Sequence, residues 1–255
     1  MKSEEPQDAQ NFTYASSEEA AAYSRLQELM KTSPLPPREL HANLGLFLNR
    51  ASLARILFMH DLYTKALHTH GVIMEFGVRW GQNMALFTQM RHIYEPYNMS
   101  RKVVGFDTFE GFPSVAAQDG DFDGLKVGGL NVTPNYEKVL TEILSAQEQL
   151  APRSHIRKFE LVQGDVNNTL PLYLEKHPET IIALAYFDLD LYEPTKKCLE
   201  AIRPYLAKNS IVGFDELVLA ENPGETLALR EAWGTEGYRI CRSTISPQQS
   251  YVVFE

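Results

Sequence analysis

The segment from Ile181 to Tyr192, IIALAYFDLDLY, restricts the fold of this chain more than any other stretch. The continuous apolar run Ile181–Phe187 is typical of a strand that is buried on both faces of a parallel sheet. The run ends at Asp188 and Asp190. Two positions apart on an extended chain, these side chains would share one face, roughly 7 Å apart along the strand. Chemistry in such sheets lies beyond the carboxyl ends of the strands.

A second apolar segment ends in the same way. Ser210–Phe214 is followed directly by Asp215 and Glu216. If this strand is a neighbour of the first one, the carboxylates of both segments meet at one edge of the sheet. Such a cluster is costly unless a metal or a cationic ligand neutralises it. Two interpretations stay open at this point, a binding site for a cation and solvated acids in the loops after core strands.

Composition and charge exclude several classes of protein. The 255 residues are 44% hydrophobic and 22% charged, which is ordinary for a globular protein, and the net charge of −9 argues against nucleic-acid binding. The two cysteines, Cys198 and Cys241, are too few for a disulfide framework or a zinc site. The N-terminus lacks the apolar core of a signal peptide, and no apolar run approaches the ~20 residues of a membrane helix. We therefore expect a cytoplasmic protein with no membrane partner.

The order of patterns predicts three regions. Residues 1–16 are polar and predicted to be loose, 17–70 form a helical extension, and 71–255 alternate strands with helices. That alternation predicts an α/β fold, a doubly wound, Rossmann-like parallel sheet with an antiparallel edge. The extension would cover one end of the sheet or supply a dimer surface, and we expect a homo-oligomer.

A long excursion, residues 108–157, interrupts the alternation. Its Gly- and Asp-rich part, about 108–134, is predicted to be a mobile lid over the site. The run Asp119–Gly124 imitates the start of a calcium loop, but Leu130 stands where an EF-hand needs a bidentate glutamate.

The first predicted strand is Gly71–Gly77, and the segment Glu75–Gly81 (EFGVRWG) covers its end and the turn into a helix, where a nucleotide-type cofactor binds. Its glycines, Gly77 and Gly81, permit a tight turn and close backbone approach. The spacing is G-x-x-x-G, which counts against a dinucleotide or P-loop site. Asp107, after the second strand, is placed to accept hydrogen bonds from a ribose. Asp165 follows the third strand at the same edge, either in the site or in a simple turn. S-adenosylmethionine, which carries a ribose and a sulfonium but no phosphate, suits this acidic edge.

Five segments together resemble the macrocin O-methyltransferase family, whose members are S-adenosylmethionine- and magnesium-dependent enzymes that methylate deoxysugar hydroxyls in natural-product pathways. The resemblance covers roughly Gly71 to Trp233. The segments are EFGVRWGQN (75–83), GFDTFEGFP (105–113), QGDVNNTLP (163–171), DLDLYEPT (188–195) and FDEL (214–217).

The resemblance implies a class I methyltransferase fold and roles for particular residues. Asp188, Asp215 and Glu216 would bind Mg²⁺, with Glu216 standing where the family usually has a second Asp. Asp190 would be the general base. The residues expected to contact the cofactor are Glu75, Gly77, Gly81, Asp107, Asp165 and Asp188.

The acceptor implied by the resemblance is a deoxysugar, either nucleotide-linked or attached to a natural product, in antibiotic biosynthesis. Two other functions are weighed against this one. A metal-dependent hydroxylase on the same scaffold would want a 2-His-1-carboxylate triad, and the acidic segments contain no histidine. A non-catalytic cofactor-binding subunit would leave the convergent carboxylates without a purpose.

Overall fold

The computed structural model describes residues 16–122 and 124–255, so nearly all of the segment predicted to be loose, 1–16, lies outside the described residues. The chain divides into two compact units, one ending at Arg55 and the other beginning at Ile56. The first contains α1 (Ser17–Lys31), α2 (Pro37–Ala42), a 3₁₀ turn (Leu44–Phe47) and the start of α3 (Arg50–Ala66).

The start of α1 is fixed by a capping box. The Ser16 hydroxyl accepts from the backbone N–H of Glu19 at 3.2 Å, and the Glu19 carboxylate accepts from the Ser16 N–H at 2.8 Å. Two donors that the helix would leave unpaired are thereby satisfied. None of the residues of α1, α2 or the 3₁₀ turn is buried.

The second unit is built on a seven-stranded sheet in the order β3-β2-β1-β4-β5-β7-β6. β1 to β5 run parallel, whereas β7 is antiparallel to both β5 and β6. The predicted doubly wound sheet with an antiparallel edge is therefore confirmed. The strands are β1 (Val72–Phe76), β2 (Val103–Asp107), β3 (Phe159–Gln163), β4 (Ile182–Phe187), β5 (Leu206–Phe214), β6 (Tyr238–Arg242) and β7 (Ser250–Phe254).

Helices cover both faces of this sheet. One hydrophobic cluster joins one face of the strands to the part of α3 after Arg55 and to α4 and α5; a second cluster joins the other face to α6, α7 and α8. Each central strand is consequently buried on both sides, which is why β4 is apolar throughout. The remaining helices are α4 (Gln82–Tyr94), α5 (Tyr136–Gln149), α6 (Val166–Lys176), α7 (Tyr192–Ile202) and α8 (Gly224–Trp233).

Helix α5 lies inside the segment 108–157 that the sequence analysis treats as one excursion. Leu140 and Leu144, one helical turn apart, are buried under this helix. The signal was present in the sequence, because apolar residues three and four apart are typical of an amphipathic helix. The irregular part of the excursion is therefore shorter than expected. Within the described residues, no helix has the length and apolar character needed to cross a membrane.

A buried ion cluster holds α4 and α5 at the edge of the sheet opposite the predicted site. The Glu148 carboxylate lies 2.6 Å from Arg91 Nη2 and 3.0 Å from Lys158 Nζ. Burial raises the pKa of Glu148, but the hydrogen bond from His92, the charge of Arg91 and the hydrogen bonds from Lys158 outweigh it, and that pKa falls to about 2. The carboxylate is thus charged at neutral pH, and the cluster helps to fix the two helices.

Four stacked phenylalanines set the register of the central strands. Phe106, Phe76, Phe187 and Phe214 come from neighbouring strands, and successive ring centroids lie 5.2, 4.6 and 5.4 Å apart. Stacked aromatic pairs contribute about 0.5–1.5 kcal/mol each beyond their buried area. The residue after each ring is a glycine or an aspartate, and these four positions fall level along one edge: Gly77, Asp107, Asp188 and Asp215.

Candidate active site

Backbone hydrogen bonds join the carboxyl ends of the parallel strands into one continuous edge. Gly77 N–H donates to the Phe106 carbonyl at 3.0 Å, and Asp188 N–H donates to the Phe76 carbonyl at 2.8 Å. Asp215 N–H donates to the Phe187 carbonyl at 3.0 Å. The strands before Asp188 and Asp215 are neighbours in the sheet, so the acids after them lie at the same edge.

A glycine is required at position 77 because the backbone of β1 there lies very close to the backbone that follows β4. Its φ is +89°, and a Cβ placed on it would lie 1.9 Å from the backbone oxygen of Asp188. Gly81, the residue just before α4, has a φ of +79°, and a Cβ there would lie 2.3 Å from Leu140 Cδ1. The two predicted turn glycines are therefore required for different packing contacts. Gly77 lets β1 approach β4, and Gly81 lets α5 approach the turn.

Asp107 organises the turn that follows β1. Its Oδ2 accepts the N–H groups of Val78 and Arg79 at 2.7 and 2.8 Å, and its Oδ1 accepts the N–H of Phe109 at 2.6 Å. A carboxylate has about four acceptor positions, so three backbone donors leave about one for a ligand hydroxyl. The acid that the sequence assigns to a ribose thus also shapes the glycine turn.

Two other predicted cofactor residues have local structural partners. Glu75 is buried in β1, and its Oε1 accepts a hydrogen bond at 2.9 Å from Nδ2 of Asn83 in the first turn of α4. Asp165 caps α6 by accepting the Asn167 N–H at 2.9 Å. Gly164 N–H donates to the Asp107 carbonyl at 2.8 Å, which brings the β3 turn beside β2.

The predicted geometry of the DLD segment is wrong. β4 ends at Phe187, so Asp188 and Asp190 lie beyond the strand, and Asp190 has a left-handed backbone with φ +60°. The separation of roughly 7 Å along an extended strand therefore does not apply to them. A left-handed conformation costs a non-glycine residue roughly 1–2 kcal/mol, although aspartate tolerates it better than most. Asp190 is buried, and Asp188 is half-buried.

Side chains that the sequence analysis did not single out as donors orient the acidic pair after β5. The Tyr186 hydroxyl and Gln249 Nε2 both donate to Asp215 Oδ1, at 2.6 and 2.7 Å. Asn222 Nδ2 donates to Glu216 Oε2. Tyr186 is fully buried in the sheet. The two donors to Asp215 come from distant parts of the chain, so no local sequence pattern could have predicted these hydrogen bonds.

A fifth acid, Glu225 of α8, lies beside the predicted four. It is 1% exposed, and its Oε2 accepts the N–H of Glu216 at 3.2 Å. Burial raises the pKa of Glu225 well above its usual range, and so do the charges of four neighbouring acids: Glu216, Asp188, Asp190 and Asp215. A helix N-terminus favours a negative charge by about 0.3–1 kcal/mol, whereas burying an ion costs several kcal/mol, so α8 does not compensate this carboxyl.

The donor chemistry of this edge suits a hard divalent cation, since its side-chain ligands are carboxylates. One buried oxygen, Glu225 Oε1, has no hydrogen-bond partner among the described residues. Within residues 16–122 and 124–255, however, no group of three or more His, Cys, Asp or Glu side chains is arranged to hold a metal ion.

Comparison with solved structures identifies relatives that are similar over nearly the whole chain. No family model matches the sequence, and no curated protein matches it. Among solved structures, the chain is 45% identical to CalS11, calicheamicin methyltransferase, over 99% of each chain, with a TM-score of 0.91. The apo structure of CalS11, TDP-rhamnose 3′-O-methyltransferase, an enzyme in calicheamicin biosynthesis, gives 43% identity over 95% of this chain and 96% of that one, with a TM-score of 0.83.

The chain belongs to the family of deoxysugar O-methyltransferases. It is an S-adenosylmethionine-dependent sugar O-methyltransferase, as the resemblance to the macrocin O-methyltransferases implies. The two other functions weighed in the sequence analysis are not supported. The O-methyltransferase NovP, at 18% identity and a TM-score of 0.59 over 79% of this chain and 80% of that one, shares the fold.

In this methyltransferase, the segment between β2 and α5 is attached to the acidic edge. Asp119 is buried; its Oδ1 accepts the N–H of Tyr192, the first residue of α7, and its Oδ2 accepts the N–H of Ala116, both at 2.6 Å. Asp121 N–H donates to the Glu221 carbonyl at 3.2 Å. Since both oxygens of Asp119 accept backbone donors, its carboxylate anchors this segment to the start of α7.

Proposed function

We propose that this enzyme transfers the methyl group of S-adenosylmethionine to a hydroxyl of a nucleotide-linked deoxysugar, with the help of a divalent cation, in antibiotic biosynthesis. The single observation that carries the acceptor is the full-length similarity to CalS11, which acts on TDP-rhamnose. The other acceptor that the sequence leaves open is a deoxysugar that is already attached to a natural product.

The cofactor is proposed to bind beside the turn after β1. The remaining acceptor position of Asp107 would receive a ribose hydroxyl, and Gly77 and Gly81 would allow the cofactor to approach the backbone. Glu75 would act mainly by fixing α4 through Asn83, since these two side chains are joined by a hydrogen bond. Asp165 and Asp188 complete the proposed contacts.

The acidic edge is proposed to activate the acceptor. Asp188, Asp215 and Glu216 would hold Mg²⁺, and a bound divalent cation lowers the pKa of a neighbouring hydroxyl. Asp190 would accept the proton of the sugar hydroxyl as that oxygen attacks the methyl carbon in line with the sulfonium leaving group. The donors on Asp215 and Glu216 would keep these carboxylates oriented toward the site.

Alignment is expected to contribute more than proton transfer. A general base typically gives 10²–10⁴-fold, which is roughly 3–5 kcal/mol. Holding two reactants in a productive geometry supplies roughly 7–11 kcal/mol. The relative placement of cofactor and acceptor is therefore expected to matter more to the proposed reaction than proton transfer to Asp190.

The enzyme is also proposed to be a cytoplasmic homo-oligomer. Exposed apolar side chains in the first unit, such as Leu46 at 62% exposure, support a contact with a second copy. Cys198 and Cys241 are both free, which is consistent with a reducing compartment.

The proposed reaction is tested by incubation with methyl-labelled S-adenosylmethionine and a panel of deoxysugars, some nucleotide-linked and some attached to antibiotic aglycones. We expect label in a nucleotide-linked deoxysugar, loss of transfer with a chelator, and recovery with Mg²⁺. Transfer only to the glycosylated aglycones would overturn the acceptor, and full activity in chelator would overturn the cation.

A further inference from the structure

Trp80 is a large aromatic residue that stays partly exposed in the turn after β1. It is 37% exposed and lies between Gly77 and Gly81, at the carboxyl edge of the sheet. The other tryptophan of the chain, Trp233, packs against the hydrophobic core and donates its indole N–H to the Leu199 carbonyl at 3.0 Å. Trp233 is thus used in the packing of the fold, whereas more than a third of Trp80 faces solvent beside the proposed cofactor turn.

Helix α5 holds Trp80 in place. The rings of Trp80 and Tyr136, the first residue of α5, meet nearly at right angles, with their centroids 4.8 Å apart. The Tyr136 hydroxyl donates to the Trp80 carbonyl at 3.1 Å, and Leu140, one helical turn later, packs against Gly81. Because α5 fixes both the ring and its backbone, a ligand that binds the open part of Trp80 has little side-chain ordering to impose.

The backbone before Trp80 is strained and firmly held. Arg79 has a left-handed conformation with φ +49°, although it is not a glycine. Asp107 accepts the N–H groups of Val78 and Arg79, which keeps the turn in this shape. Strained residues of this kind persist where surrounding contacts fix them, and they occur most often at binding sites. Here the conformation of Arg79 sets the direction in which the chain continues to Trp80.

We propose that the side chain of Trp80 stacks against the nucleobase of a nucleotide bound at this edge. The inference rests on the proposed function, in which two ligands carry a base: the adenine of the cofactor and the base of the nucleotide-linked acceptor. Every nucleobase has a flat π face that stacks on an aromatic side chain. A sugar or an aliphatic chain has no such face, so this residue selects for the nucleotide part of its ligand.

Two substitutions at the same position separate stacking from simple apolar contact. Trp80→Phe keeps an aromatic ring, and Trp80→Leu keeps only apolar volume. Binding of S-adenosylhomocysteine and of thymidine diphosphate is measured separately by calorimetry. For one of the two ligands, we expect Trp80→Leu to lose roughly 5–150-fold in affinity, which is the usual 1–3 kcal/mol per stacked base converted at 1.4 kcal/mol per tenfold. Trp80→Phe should lose clearly less, and the affinity for the other ligand should stay unchanged.

Tyr97→Leu is the matched control, because Tyr97 is 69% exposed and lies between α4 and β2, at the opposite edge of the sheet. This control should bind both ligands as the wild type does. Fluorescence gives a second measurement, since Trp80 is the only tryptophan left in Trp233→Phe. Its emission should change when the ligand that stacks is added, and the identity of that ligand tells cofactor from acceptor.

Equal losses in Trp80→Phe and Trp80→Leu would overturn the inference, as would unchanged affinity in both variants or an equal loss for both ligands. A wild type that binds neither ligand overturns it too. If Trp80→Leu does not fold, the emission of Trp80 in Trp233→Phe decides, and no change at saturation with either ligand contradicts the proposal. If Trp233→Phe does not fold, the calorimetric comparison of Trp80→Phe with the wild type decides. All these measurements are made without turnover, so the methyl-transfer assay judges the proposed reaction separately.

Discussion

At the scale of single residues, the close backbone approach of Gly77 to Asp188 is the feature that most restricts the site. Gly77 stands where a Cβ would collide with the backbone of Asp188, the residue that begins the acidic segment. The cofactor turn and the acidic segment are therefore two sides of one backbone contact. A change at Gly77 must disturb both, although its side chain takes no part in the chemistry.

Gly77→Ala is predicted to lower stability and to abolish cofactor binding. Gly234→Ala is the matched control, because Gly234 also has a positive φ, +71°, but nothing lies within 4 Å of an added Cβ. A backbone with positive φ strains an alanine by roughly 1–3 kcal/mol at either position. For a chain of this size, 1 kcal/mol corresponds to roughly 2–4 °C.

Thermal unfolding and calorimetry with S-adenosylmethionine check this prediction. Gly234→Ala should lose only those few degrees and bind the cofactor normally, whereas Gly77→Ala should lose more and bind none. Similar behaviour of the two variants would show that backbone strain alone matters and that the contact with Asp188 does not.

At the scale of elements, the segment between β2 and α5 is anchored in its middle. Asp119 holds the N-terminus of α7, and Asp121 is hydrogen-bonded to Glu221 in the loop before α8. We still predict that residues 108–134 close over the substrates, with this anchor as a fixed point. The movement would then involve the parts on either side of Asp119.

Hydrogen exchange tests the closure and its anchor. Peptides of the segment should become protected when cofactor and acceptor are both bound, while the Tyr192 amide should be protected from the outset. Asp119→Ala should speed exchange at Tyr192, whereas Asp121→Ala, which keeps its backbone hydrogen bond, should not. Exchange that is unchanged by ligands would contradict the closure.

At the scale of the whole molecule, the sheet and its acidic edge could be predicted from the sequence because each follows from a local pattern. Apolar runs mark buried strands, and the acids that end two of them locate the edge. Helix α1 begins at Ser17, where the predicted helical extension also begins, because a Ser-Glu-Glu start signals a helix N-terminus.

What the sequence did not predict depends on contacts between distant residues. The left-handed Asp190 follows from how the chain leaves β4, and the buried Glu225 belongs to a helix that follows the acidic pair by several residues. The donors to Asp215 come from β4 and from the segment before β7. A repeated phenylalanine before each glycine or aspartate is the one signal that could have indicated the common register.

The central claim is that the acids of one edge divide the work of a cation-assisted methyl transfer. The most direct measurement compares Asp188→Asn with Asp190→Asn in Mg²⁺ titrations and in methyl-transfer rates. Asp188→Asn should weaken Mg²⁺ binding and lower turnover, with partial recovery at high Mg²⁺. Asp190→Asn should keep the Mg²⁺ affinity and lose roughly 10²–10⁴-fold in turnover, as expected for a general base. Loss of Mg²⁺ in Asp190→Asn alone would reverse the two roles, and full activity of both variants would show that this edge is not the active site.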